Sequence, residues 1–214
     1  MDAVFTTPHV ARKAVWGGIV RMTGAVALTA LAAGCGDVTR EGTASSYLIV
    51  TALEAASGAE PGEFSTTLGS DVVTVVDGIP TVFSDSGRVT LALAMKDAGG
   101  VDSPTQPTSN NFITINRYHV RYIRADGRNT PGVDVPYPFD GAFTATVRTG
   151  ETQAGFDLVR IQAKAEAPLA ALARNFLSIS TIAEVTFYGR DQTGREVSVT
   201  ANISINFANF GDPD

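Results

Sequence analysis

The chain has 214 residues, of which 16 are basic and 22 acidic, for a formal net charge of −6, and it contains one cysteine. That acidic balance excludes the basic footprint of a nucleic-acid binder and a docking on anionic lipid headgroups through protein charge. A single cysteine excludes an intrachain disulfide framework and any zinc site built on several thiolates.

The first residues show a definite order. Arg12, Lys13 and Arg21 lie upstream, an apolar stretch follows, and small residues lead to Cys35. This is the layout of a secretory signal. The run Ala25 to Cys35 resembles the lipobox of bacterial lipoproteins. Ala33 and Gly34 fit the two small positions before the cysteine, while Ala32 stands where the family often has Leu and Leu31 lies one place further back. The resemblance covers residues 1–37. It implies that residues 1–34 are a removable signal peptide, that the Cys35 thiol carries diacylglycerol, and that Cys35 becomes an N-terminus bearing a further amide-linked acyl chain such as palmitate. One acyl chain gives only reversible membrane binding, so several chains match the need for a stable anchor. Two other readings stay open. Residues 14–34 are long enough for an uncleaved anchor, against which Arg21 at mid-span argues, and Cys35 as an ordinary buried thiol is the other. By the family's sorting rule, Gly36 after the cysteine points to the outer membrane rather than the inner, although Asp37 follows it.

Residues 1–34 hold three basic residues (Arg12, Lys13, Arg21) and one acidic residue (Asp2). The remainder therefore carries 13 basic and 21 acidic residues, a formal charge of −8, with His119 its one histidine and no tryptophan. Its length suits one domain with a real core. Residues 35–46 read as the lipidated cysteine plus a small, polar tether (GDVTREGTASS). Residues 47–210 read as the folded domain and 211–214 as a tail.

From Tyr47 onward, runs rich in Val, Ile, Thr, Phe and Tyr alternate with Gly/Pro/Asp/Asn/Ser clusters, the strand-and-turn signature. Tyr47 to Ala55 is apolar on both faces and reads as a covered strand, with a helix the alternative for so short a run. Val89, Leu91, Leu93 and Met95 form an inward row. Within Phe112 to Arg124 the phase changes: Ile113 and Ile115 are apolar at odd positions, Tyr118, Val120 and Tyr122 at even ones. That predicts a β-bulge near Asn116. Phe143, Ala145 and Val147 form a shorter row, and Leu158 to Ala165 shows another phase switch. Residues 167–174 (APLAALAR) alone look helical, with Pro168 suited to the first turn. Ile179, Ala183, Val185 and Phe187 alternate, as do Val197, Val199, Ala201, Ile203, Ile205 and Phe207. Asp191 to Gly194 predicts the hairpin loop between them. Two long Pro-containing loops, 97–111 and 126–141, stand out.

About seven to nine short-spaced strands without βαβ alternation predict an all-β protein, a single antiparallel sandwich with one short helix. The final hairpin and overall rhythm resemble the immunoglobulin-like sandwiches of bacterial surface proteins, without the Cys…Trp…Cys pattern of antibody domains. A jelly roll or partly closed barrel remains an alternative.

Candidate chemistry is sparse. Arg117, His119 and Arg121 at period 2 project from one strand face as a basic stripe, suited to an acidic partner. A nucleophile needs a base beside it, but no Gly-x-Ser-x-Gly signature accompanies His119. Asp126, Asp134 and Asp140 supply hard oxygen ligands of the kind calcium takes, without EF-hand spacing. Tyr137 and Phe139 place two aromatics in a proline-held loop, suited to a sugar or protein, or to plugging the end of the sandwich. No phosphate loop, dinucleotide fingerprint or zinc spacing is present, so no cofactor is expected. The expectation is a non-enzymatic envelope lipoprotein, held to the membrane through Cys35, that meets an envelope protein partner and no nucleic acid. The alternative is a carbohydrate or small-ligand module using loops 97–111 and 126–141.

Overall fold

The structure, a computed structural model, describes residues 43–210. The expected signal segment, Cys35, Gly36, Asp37 and the tail lie outside these residues. Twelve strands run through the described part in chain order. They are β1 (Ser46–Ala56), β2 (Thr67–Asp71), β3 (Thr74–Val76), β4 (Ile79–Thr81), β5 (Asp85–Met95), β6 (Gly99–Gly100), β7 (Ser103–Pro104), β8 (Ile113–Ile123), β9 (Phe139–Val147), β10 (Thr152–Val159), β11 (Ile179–Asp191) and β12 (Glu196–Ala208). The protein is all-β. One sheet has the order β1-β5-β10, a second β2-β12-β11-β8-β9, and β3-β4 and β6-β7 are two-stranded. Pairing is antiparallel except between β2 and β12.

Alternation in the sequence places the core. Val197, Ile203, Ile205 and Phe207 are buried on β12, while Ser198, Asn202, Ser204 and Asn206 between them face solvent. The hairpin at Asp191 to Gly194 forms, and Gly194 takes φ 86°, a backbone region that disfavours other residues. The inward residues of both larger sheets join one apolar cluster. At its centre, Tyr118 and Phe143 from the five-stranded sheet meet Phe156 from the three-stranded one, edge to face at centroid distances of 5.1 and 6.4 Å. Phe187 completes the group, 5.3 Å from Phe156. Tyr118 and Tyr122 also tie the sheets through hydroxyl donors to the Asp157 and Leu158 carbonyls, at 3.1 and 2.7 Å.

The bulge is at Asn116. Ile115 and Arg117 pair with successive residues Gly189 and Tyr188 of β11, so Asn116 is the extra residue. The extra residue keeps Ile113, Ile115, Tyr118, Val120 and Tyr122 all inward.

Four expectations change. The tether ends earlier than Ser46: Ala44 is in the core cluster, and Ser45 and Ser46 bind Asn111 through their hydroxyls. Tyr47 and Ile49 are exposed, so β1 is covered on one face only. The phase switch after Leu158 marks the end of β10 and a short helix, α1 (Ile161–Ala165), not a continued strand. The 167–174 segment is a 3-10 turn over Leu169–Arg174 preceded by a cis Ala167–Pro168 bond, so that with α1 and a 3-10 turn at Ser109–Asn111 the described residues hold three short helical pieces where one was expected.

Candidate functional site

The domain has two distinct ends. At the proximal end the chain enters β1, where Ser46 pairs with Met95 at the end of β5 and contacts Asn111 just before β8. At the distal end β8 finishes at Ile123, β9 starts, and the 160–178 segment links Val159 to Ile179.

Beyond the bulge, β8 turns Arg117, His119 and Arg121 outward together, as their spacing predicts. They do not form an uncompensated basic stripe. Asp140, opposite His119 on β9, accepts a bond from Arg117 Nη1 at 3.2 Å and lies 3.3 Å from His119 Nδ1. Glu184, opposite Arg121 on β11, accepts from its Nη2 at 2.8 Å. The Arg117 guanidinium also stacks 4.1 Å from the Tyr188 ring centroid. Cross-strand pairs of this exposed kind contribute about 0–1 kcal/mol each. Beside the bulge lies a shallow, open depression of about 470 Å³, lined by Asn116, Arg117, Tyr188 and Arg190. Arg190 is itself held by Glu196 at 2.9 Å.

Loops 97–111 and 126–141 leave opposite ends of β8, which corrects the shared-site reading. One precedes Ile113 and the other follows Ile123, with an 11-residue strand between them. The two aromatics of the second loop also part company. Tyr137 is half exposed, and its ring occupies the space over Gly132. Phe139 is buried as the first residue of β9, with the Arg160 guanidinium 4.0 Å from its ring centroid.

The three carboxylates offered to calcium are not brought together. Asp126 accepts bonds from Arg124 and Arg128 between 2.7 and 3.2 Å, and these hold it well below the usual carboxylate range. A cation there would face two guanidinium charges. Asp134 accepts the Thr130 amide, and Asp140 serves Arg117 and His119. Among the described residues no group of three or more His, Cys, Asp or Glu side chains is placed to hold a metal.

Sequence reasoning missed a buried ionic cluster at the distal end. Lys164 of α1 and Asp85, the first residue of β5, meet at 2.8 Å with side chains 1% and 0% exposed. Lys164 Nζ also donates to the Asp71 carbonyl at 2.7 Å. Asp85 accepts further bonds from Ser70 Oγ at 2.5 Å and Gly58 N at 2.9 Å. Burial, only partly offset by Lys164, raises the Asp85 carboxyl above its ordinary value. Nearby, burial and then the Asp85 charge push the Tyr122 hydroxyl up. Losing one partner of such a pair costs about 3–5 kcal/mol, because the other charge is left buried. The one available signal was Lys164 itself, the second of two basic residues, with Arg160, in a largely apolar run (LVRIQAKA) that changes phase.

The distal end also carries most of the exposed apolar side chains. Phe176 is fully exposed and Leu177 is 67% exposed just before β11, and Ile161 at the start of α1 and Val133 in the 126–141 loop are exposed as well. The proximal loops hold one counterpart, Val101. Comparison of the chain with protein-family models, with curated proteins and with solved structures finds no match to any of them.

Proposed function

We propose that this chain is a lipid-anchored protein of a bacterial envelope, outer membrane favoured, whose β domain is a non-enzymatic interaction or structural module. The observation that carries this reading is polarity along the domain. The sequence that follows Cys35 leads into β1 at the proximal end, and exposed apolar side chains gather at the distal one. A tethered domain meets partners with the end facing away from its anchor, and exposed apolar groups clustered there are the usual mark of a contact surface. The polar residues singled out for chemistry, His119, Asp126 and Asp140, each have a local charged partner instead of a shared cleft.

The domain is further proposed to be immunoglobulin-like. Support comes from the strand order. A β1-β5-β10 sheet faces β12-β11-β8-β9, so sequential strands switch sheets as in Greek-key sandwiches. The final hairpin β11-β12 lies beside β8, as in such sandwiches.

A photo-crosslinking residue placed at Phe176 in the full chain, in living cells, tests the interaction reading. A discrete envelope partner captured from Phe176 but not from Thr144, on the solvent face of β9, is the expected result. Equal or no capture at the two positions removes the distal-end reading.

A further inference from the structure

We propose that Lys164 and Asp85 condense to an intramolecular isopeptide bond, a permanent cross-link between α1 and the start of β5.

Three observations converge on it. The reacting groups are in contact, 2.8 Å apart, and secluded from water that would favour hydrolysis. Holding two reactants in contact supplies the proximity that a bimolecular condensation lacks. Second, two opposite charges with essentially no exposure are costly, and a neutral amide removes both.

Third, the surroundings offer both partners that the product amide needs. An ammonium has three N–H donors, and among the described residues Nζ finds two acceptors, the Asp71 carbonyl and Asp85 Oδ1. A secondary amide needs one acceptor for its N–H and one donor for its oxygen. The Asp71 carbonyl, 2.7 Å from Nζ, supplies the first, and Ser70 Oγ, 2.5 Å from Oδ2, supplies the second.

The step balances without any co-reactant. One proton passes from Nζ to the carboxylate within the pair, giving an amine and a carboxylic acid. The raised Asp85 carboxyl helps hold that proton. The Nζ lone pair adds to Cγ, and the Ser70 hydroxyl stabilises the charge developing on Oδ2. The Cγ–Oδ1 bond then breaks. Oδ1, to which Gly58 N–H donates, leaves as water with the carboxyl proton and a second proton from Nζ. Amine plus acid become amide plus water. The cross-link spans 79 residues. It gives a disulfide-free domain a covalent closure of the kind that stabilises by restricting the unfolded chain.

The test is peptide mapping of the full chain, denatured and digested with trypsin. Trypsin does not cut after an acylated lysine. The expected product is a branched peptide that joins the segments carrying Asp85 and Lys164 and is lighter than their sum by one water. In the Lys164→Arg variant that species is lost. Recovery of residues 161–164 only as a free tetrapeptide, with the Asp85 peptide unlinked, overturns the proposal. This readout is on the native sequence, so it does not depend on the variant folding.

Discussion

Gly141 leaves a space that the Tyr118 ring fills: a Cβ at this position would fall 2.2 Å from that ring. The ring cannot retreat, because its hydroxyl is held by the Asp157 carbonyl and its faces by Phe139, Phe143 and Phe156. Gly141→Ala is therefore expected to destabilise the domain by about 1–3 kcal/mol through overpacking, read as a lower thermal midpoint; an unchanged midpoint would show the ring to be mobile. Asp191 acts by hydrogen bonds instead. Its Oδ1 accepts Thr193 Oγ1 at 2.6 Å, Thr193 N at 2.9 Å and Arg195 N at 3.0 Å, closing the final hairpin. Burial raises this carboxyl, but the Thr193 and Arg195 bonds outweigh burial and leave it below its ordinary 3.8. The folded state thus prefers the carboxylate. That stabilisation is fully present above the unfolded value and is lost as pH falls through the lower folded one. Asp191→Ala should cost about 1–3 kcal/mol at neutral pH and lose part of the acid-side decline in denaturant midpoint that the native chain shows.

β8 is where sequence and structure meet most closely. The phase change from Ile113 and Ile115 to Tyr118, Val120 and Tyr122 was legible because a strand alternates with period 2, and one extra residue is the simplest repair. Deleting Asn116 restores strict alternation and leaves Ile113, Ile115, Tyr118, Val120 and Tyr122 on one inward face of an unbulged strand. The expected outcome is cooperative unfolding retained by circular dichroism; loss of cooperativity in the deletion variant would mean that the bulge itself, and not the inward row alone, holds β8 in place. The alternating rows of β11 and β12 were legible for the same reason. The parallel β2 pairing was not, because five residues (TLGSD) carry no pattern that names a partner. The Lys164–Asp85 contact was equally silent: it joins positions 79 apart, and local spacing encodes only neighbours. Arg117, His119 and Arg121 were placed correctly on one face, but their neutralising partners, Asp140 and Glu184, come from flanking strands whose register the sequence alone does not give. Phe139 read as a loop aromatic because Pro136 and Pro138 precede it, yet the strand starts at that residue and takes the ring into the core.

At the scale of the molecule, the domain stands on one apolar core shared by two sheets, a buried Lys164–Asp85 contact at its distal end, and Ala44, ahead of β1, packed into that core. Among the described residues no helix is long and apolar enough to cross a membrane. Membrane attachment, as proposed, rests on Cys35. Phe176→Ser should leave stability within about 0.5 kcal/mol, since its ring contacts solvent, while abolishing partner capture at the distal end; a large loss of stability would make Phe176 a structural residue. The most direct measurement is the mass of the N-terminal peptide of the protein recovered from the membrane fraction of its own cells. The expected result is a chain that starts at Cys35 and carries diacylglycerol and an amide-linked acyl group. A membrane-bound chain that still begins at Met1, or one in which Cys35 is an unmodified internal thiol, would contradict the anchor and the orientation built on it.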